Sequence, residues 1–242
     1  MTKKITVLLM LTCFAVLLPG QGYYFGVKGG LSVGIQNWNS YEMDPLLKYH
    51  GDVFLESYTD AALVLYGQLG YHVKGSALRN RLFLNPINGY SRAPVREFLF
   101  NNIVLVLGAK QKFDWGADRK YYYSMGLRAD YNLSTNLSEY SEYNTQFPGY
   151  YPLDNPTYIR SFMYGISFGG GAEFSLSDYF GITVDLTVNP DLSFQYIQPA
   201  IPTNVTNPYN GQKINIREQK IRNITIELSV GLRFLREIEY ID

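Results

Sequence analysis

The chain has 242 residues, and its 21 lysines and arginines balance its 21 aspartates and glutamates. That balance supplies no overall pull toward nucleic acid, so nucleic-acid binding is disfavoured. The 22 tyrosines, 14 phenylalanines and 22 glycines describe a β-protein with an aromatic excess suited to an apolar–aqueous boundary.

Residues 1–22 read as an export signal: Lys3 and Lys4 open it, an apolar run follows from Ile5 to Leu18, and Gly20, Gln21 and Gly22 offer a small-residue cleavage site. The run is shorter than the roughly 20 residues a spanning helix requires. Cys13, the single cysteine, lies inside this segment. The mature part, residues 23–242, is therefore read as one cysteine-free domain, without disulfides, thiolate metal sites or a cysteine nucleophile. No histidine pair or calcium-loop spacing appears, so no metal or cofactor is expected.

Eight half-apolar segments follow, each with a period of two. Residues 23–36 put Phe25, Val27, Leu31, Val33 and Ile35 on one face, opposite Tyr24, Lys28, Ser32 and Gln36. A short second strand at 52–57 carries Val53 and Leu55, and a third at 62–73 carries Leu63, Leu65, Leu69, Tyr71 and Val73. The fourth, 102–113, sets Ile103, Leu105, Leu107, Ala109 and Phe113 against Gly108, Lys110 and Lys112. The fifth, 120–131, opposes Tyr121, Tyr123, Met125, Leu127, Ala129 and Tyr131 to Ser124, Gly126, Arg128 and Asp130. The sixth, 161–174, has Phe162, Tyr164, Ile166, Phe168, Ala172 and Phe174 opposite Ser161, Ser167 and Glu173. The seventh, 179–189, has Phe180, Ile182, Val184, Leu186 and Val188 opposite Thr183, Asp185 and Thr187. In the eighth, 223–234, Ile224, Ile226, Leu228, Val230, Leu232 and Phe234 oppose Thr225, Glu227, Ser229 and Arg233.

The connections alternate in length. Residues 57–61, 114–119 and 175–178 are short, whereas 37–51, 74–101, 132–160 and 191–222 are long and rich in Asn, Tyr, Pro and Gly. Short periplasmic turns and long external loops belong to an eight-stranded antiparallel up-and-down transmembrane β-barrel of the outer membrane, with both termini periplasmic. Tyr121 and Tyr131, like Tyr164 and Phe174, are ten residues apart. At ~3.3 Å per residue and a tilt of ~40° this spans roughly 25 Å, the height of a lipid-facing band. An aromatic girdle is accordingly expected from Phe25, Phe113, Tyr121, Phe174, Phe180 and Phe234 at the periplasmic side and Tyr71, Tyr131 and Tyr164 at the outer side. The competing fold is a soluble lipocalin-type barrel, whose apolar faces would point inward at a lipid ligand.

Eight strands leave an interior that side chains can fill. Lys28, Lys110, Arg128, Asp130, Glu173, Asp185, Glu227 and Arg233 fall on the expected inner face, and pairing of the first and eighth strands should bring Lys28 near Glu227. Mutual pairing plugs the lumen, and a continuous ion path is the alternative. The glycine runs at Gly29-Gly30 and Gly169-Gly170-Gly171 precede no helix, so close approach of bulky neighbours explains them better than a nucleotide cradle. His50 is expected in the first long loop and His72 at girdle level. Ser76, four residues beyond His72, suggests a lipid-modifying enzyme, but Lys74-Gly75 should end the strand between them and no orienting carboxylate is evident nearby. Non-enzymatic function is preferred. The loop containing Tyr140, Tyr143, Phe147, Tyr150 and Tyr151 is a candidate recognition surface, or packs over the barrel mouth.

Tyr23 to Ser32, Gln68 to Ser76 and Glu227 to Phe234 resemble the small outer-membrane β-barrel, PorT-like proteins of Bacteroidota, in strand order across the mature chain. The resemblance implies an outer-membrane barrel with a faint link to secretion; the reading from the residues adds a monomer in contact with outer-membrane lipid, with envelope or secretion proteins as partners through the external loops. The resemblance transfers no catalytic residue. Only residues 236–242 follow the last expected strand, so wall anchoring by this chain alone is not expected.

Overall fold

The computed structural model describes residues 22–39, 42–59, 61–79, 82–85, 89–92, 95–116, 118–146, 151–206 and 211–237. The expected export signal with Cys13 lies outside these residues save for Gly22, as do Phe147 and Tyr150. Eight long strands form the frame: β1 (Gly22–Trp38), β2 (Asp44–Tyr58), β3 (Leu63–Leu78), β4 (Arg96–Asp114), β5 (Arg119–Thr135), β6 (Phe162–Ser175), β7 (Phe180–Pro190) and β8 (Gln219–Glu237). Each pairs antiparallel with its sequence neighbour, and β1 pairs with β8 from Gly22↔Glu237 to Trp38↔Ile221, so the sheet closes into a ring. Closure gives every frame strand a hydrogen-bonded neighbour on both sides, which is how a β-protein satisfies its backbone where water is absent.

Side-chain parity sets inside and outside. On β1, Phe25, Val27, Leu31 and Ile35 are exposed while Ser32 and Gln36 are buried; on β8, Ile224, Ile226, Leu228, Val230, Leu232 and Phe234 are exposed while Asn223, Thr225, Glu227, Ser229 and Arg233 are buried. The apolar faces point outward and the polar faces inward, the reverse of a lipocalin-type barrel.

Strand β2 begins eight residues earlier than residue 52, so the connection expected over 37–51 is mostly strand. The exposure pattern alternates along the whole of β2. The inward apolar Leu46 beside Pro45 and the polar Lys48, His50 and Asp52 obscure it in the sequence, and the register against β3 shifts between Pro45 and His50. Similarly β3 runs through Lys74-Gly75 to Leu78, which places His72 and Ser76 on one inward face. β4 starts at Arg96 and β8 at Gln219, so the strands outrun the apolar belt at the loop end. There a small hairpin, Leu82–Asn85 with Gly89–Arg92, follows β3, and a second, Ile201–Thr206 with Lys213–Ile216, precedes β8.

Above the belt the interior becomes apolar. Trp38, Phe98, Phe100 and Ile221 from the strand extensions pack with Leu137, Tyr140 and Tyr196 from the connecting segments, and with Tyr151 and Tyr158 at their edge. Tyr140 stacks on Tyr151 with ring centroids 5.3 Å apart. These two loop tyrosines pack over the mouth.

Glycines on the inner face make room for large partners. A Cβ on Gly171 would sit 2.6 Å from the Tyr122 hydroxyl and 2.8 Å from an Asp185 oxygen. Gly171→Ala is therefore expected to displace the Tyr122–Asp185 contact and destabilise the barrel by about 1–3 kcal/mol. Denaturant unfolding of the detergent-refolded variant measures this, and an unchanged midpoint would show that the contact shifts without cost.

Candidate functional site

The lumen holds the chain's densest chemistry, arranged in layers along the barrel axis. At the end that carries the short turns, Glu56 on β2 accepts from Lys110 at 2.6 Å and from Lys112, both on β4. Glu173 on β6 accepts from Lys112 at 2.9 Å and from Arg233 on β8. Arg233 lies 4.6 Å from the Tyr24 ring centroid, and Lys110 lies 4.5 Å from that of Tyr122. These carboxylates and cations come from strands two apart in the ring, so each bond reaches over one intervening strand and the set ties β2, β4, β6 and β8 together. A cavity of about 250 Å³ opens at this end, lined in part by Tyr24, Tyr58, Val64, Ser175, Lys112 and Arg233.

The next layer joins Lys28 to Asp185 at 2.8 Å, with the Tyr122 hydroxyl donating to the same carboxylate. The expected Lys28–Glu227 pair does not form. The register puts Gly231, not Glu227, opposite Lys28, and a Cβ on Gly231 would lie 2.7 Å from the Lys28 Cβ and 2.8 Å from the Thr183 hydroxyl. That space lets the lysine reach over β8 to β7.

Glu227 instead meets His72. His72 Nδ1 lies 2.8 Å from Glu227 Oε1, and Nε2 lies 2.9 Å from Asp52 Oδ1. His50 stacks on His72 with centroids 5.1 Å apart and meets the Ser229 hydroxyl at 2.8 Å, while Asn189 donates to Glu227 at 2.9 Å. Both histidines thus lie in the lumen rather than in a loop or at girdle level, and His72 has two carboxylates beside it where none was expected. Only 2% of His72 is exposed. It faces away from the outer apolar surface, so it offers no lipid-modifying centre to that surface.

Toward the loop end, Lys74 bonds Asp130 at 2.5 Å and Arg128 pairs with Asp191, whose second oxygen accepts from Asn223 at 3.1 Å. Above them the Ser76 hydroxyl donates to Gln36 at 2.5 Å and the Trp38 indole donates to Gln36 at 3.1 Å, ending the polar column beneath the apolar cap. Tyr196 closes the cap: its hydroxyl donates to Gln198 at 2.8 Å and accepts from the Leu153 amide at 2.9 Å. Burial pushes that phenol above the ordinary tyrosine range.

The structure therefore brings Lys28, Lys110, Arg128, Asp130, Glu173, Asp185, Glu227 and Arg233 into one interior, all of them in ion pairs or hydrogen bonds. The expected lumen set lacks Asp52, Glu56, His72, Lys74, Lys112 and Asp191, although parity already sets Lys112 beside Lys110 on the inner face. Their signal is legible on β3, where Tyr66, Gln68, His72, Lys74 and Ser76 share the even positions, and on β2, where Asp52 and Glu56 alternate with the outward Val53 and Leu55.

On the outside, Phe25, Tyr71, Phe113, Tyr121, Tyr131, Tyr164 and Phe234 are exposed, and Phe174 and Phe180 are partly so. At the turn end Phe25, Phe234 and Phe180 form a row, with centroids 5.6 Å and 5.3 Å apart, and Phe113 stacks on Tyr121 at 5.0 Å. Tyr71 and Tyr131 share the register of Ile103 at the other side of the belt.

No protein family model matches the chain, and no curated protein matches it. Similar solved structures include Neisserial surface protein A, 11% identical over 87% of this chain and 96% of that one, with a TM-score of 0.44. The outer membrane protein OprG from Pseudomonas aeruginosa is 8% identical over 89% and 99%, with a TM-score of 0.49. Ail, the attachment invasion locus protein of Yersinia pestis, is 11% identical over 88% and 99%, with a TM-score of 0.37.

Proposed function

We propose that this chain is a small outer-membrane β-barrel with a plugged lumen, serving a structural or interaction role through its loop end rather than catalysing a reaction. The observation that carries the reading is the belt: outward Val27, Leu31, Val53, Leu69, Leu105, Leu127, Phe168, Leu186 and Leu228 are exposed around the closed ring, while the charges of the same strands are buried inside. A soluble protein rarely exposes so large a contiguous apolar surface, whereas lipid requires it. The aromatic rows at its borders are read as girdles in contact with the interfacial zone of the lipid. The even strand number puts both termini on the side of the short turns, and on this reading that side is periplasmic and the long connections are external.

The plug supports a non-conducting role. Paired charges fill the lumen, and an aromatic cap covers its loop end. The resemblance to PorT-like proteins of Bacteroidota points the loop end toward envelope or secretion partners, with the barrel itself a monomer.

The test compares gel mobility of boiled and unboiled protein refolded in detergent, followed by single-channel recording in planar bilayers. A faster unboiled band and no open-channel current are expected. A protein that needs no detergent to stay soluble would overturn the membrane reading, and steady conductance would overturn the plug.

A further inference from the structure

Among the described residues the lumen contains six fixed cations, Lys28, Lys74, Lys110, Lys112, Arg128 and Arg233. It contains seven carboxylates: Asp52, Glu56, Asp130, Glu173, Asp185, Asp191 and Glu227. Each fixed cation sits against at least one carboxylate in the turn-end, Lys28 or loop-end layer. The two carboxylates left to the middle layer, Asp52 and Glu227, have His72 between them and no lysine or arginine in a salt bridge with either. An uncompensated buried charge costs several kcal/mol, so the middle layer requires a positive partner.

The geometry supplies one. A neutral imidazole has one donor nitrogen and one acceptor nitrogen, and an ionised carboxylate only accepts. Both ring nitrogens of His72 lie within hydrogen-bond distance of a carboxylate oxygen, at 2.8 Å and 2.9 Å. Two such bonds need one proton more than neutral His72 and two carboxylates possess, and histidine is the strongest base of the three. We infer that His72 is the seventh cation of the lumen, an imidazolium that bridges Asp52 on β2 to Glu227 on β8 and makes the plug electrically neutral.

The surroundings fit this role. Glu227 takes a further bond from Asn189 on β7, and Asp52 reaches His72 from the adjoining strand. His50 on β2 stacks beside His72 and spends Nε2 on Ser229 of β8, so it adds a second link across the same gap without adding a charge to the pair count. Arg128 on β5, the nearest cation of the layer above, is already bound to Asp191 and to the Asn189 carbonyl. The bridge runs over β1, whose inward positions here are Lys28, the register partner of Asp52 but bonded to Asp185, and the small Gly30 and Ser32. It stands whether or not the outer surface contacts lipid, since it depends only on the closed lumen.

The experiment has two arms. Nitrogen-15 spectra of the full chain, labelled on histidine and refolded in detergent at neutral pH, should show both ring nitrogens of His72 protonated; a bare ring nitrogen overturns the assignment. The folded-to-unfolded ratio should then fall roughly a hundredfold or more for His72→Gln, which leaves two carboxylates without their cation. The double variant His72→Gln with Glu227→Gln removes one charge of each sign and should recover at least roughly tenfold of that loss, because the lumen is neutral again. No recovery would mean that His72 acts through shape rather than charge. If the single variant fails to fold, the spectra of the unaltered chain still decide the question.

Discussion

Replacing Lys74 by methionine is expected to destabilise the barrel by about 3–5 kcal/mol, the largest effect of any single lumen substitution of similar volume. The Lys74 side chain is fully buried, with Nζ 2.5 Å from Asp130 and 3.8 Å from Asp191. Methionine keeps most of the stem and its packing, so the loss isolates the charge. Asp130 would keep Arg128 Nε at 3.3 Å, but Arg128 already serves Asp191, and one guanidinium cannot neutralise two carboxylates. Adding Asp130→Leu should return much of the stability, since removing a whole buried pair costs far less than halving it. Urea unfolding of both variants in lipid vesicles measures the difference. A loss below about 1 kcal/mol for the single variant would show that water reaches Asp130 and that the lumen is wet at this level.

Such pairs illustrate what alternation can and cannot reveal. A period of two fixes which side chains of β5 or β8 enter the lumen, and Arg128, Asp130, Glu227 and Arg233 were legible for that reason. Partner choice depends on strand stagger, which leaves no mark in the composition of any one strand. Lys28 therefore looked like a partner for Glu227 until the register set it opposite Gly231 and free to reach Asp185. β2 reads short in the sequence because the inward Leu46 beside Pro45 departs from a polar inner face, and because Lys48, His50 and Asp52 resemble a polar loop when the neighbouring strands are not in view. The cap was missed for a different reason. Trp38, Phe98, Phe100 and Ile221 occupy inward positions that are polar lower in the barrel, so the inversion of the pattern above the belt reads as the end of each strand rather than its continuation.

Outside, the corresponding test is a charge placed in the belt. Leu127→Arg on β5 is expected to cost about 2–4 kcal/mol in a bilayer, the range for an arginine near the midplane of a transmembrane barrel. Leu127 is 72% exposed, and its register partners Leu107 and Ile166 are also outward and apolar. It lies six residues from Tyr121 and four from Tyr131 along the same face, near the middle of the belt. In water this substitution would replace one exposed side chain by another and change stability by no more than about 0.5 kcal/mol. Leu192→Arg, at an exposed position just beyond β7, supplies the control and should stay within that smaller range. Urea unfolding in lipid vesicles compares the two variants directly. A large loss for Leu127→Arg with none for Leu192→Arg locates hydrocarbon at the belt, because water would solvate a guanidinium at either exposed position and most readily at the more exposed Leu127. Equal and small effects would place both side chains in water and remove the membrane from the account of this barrel.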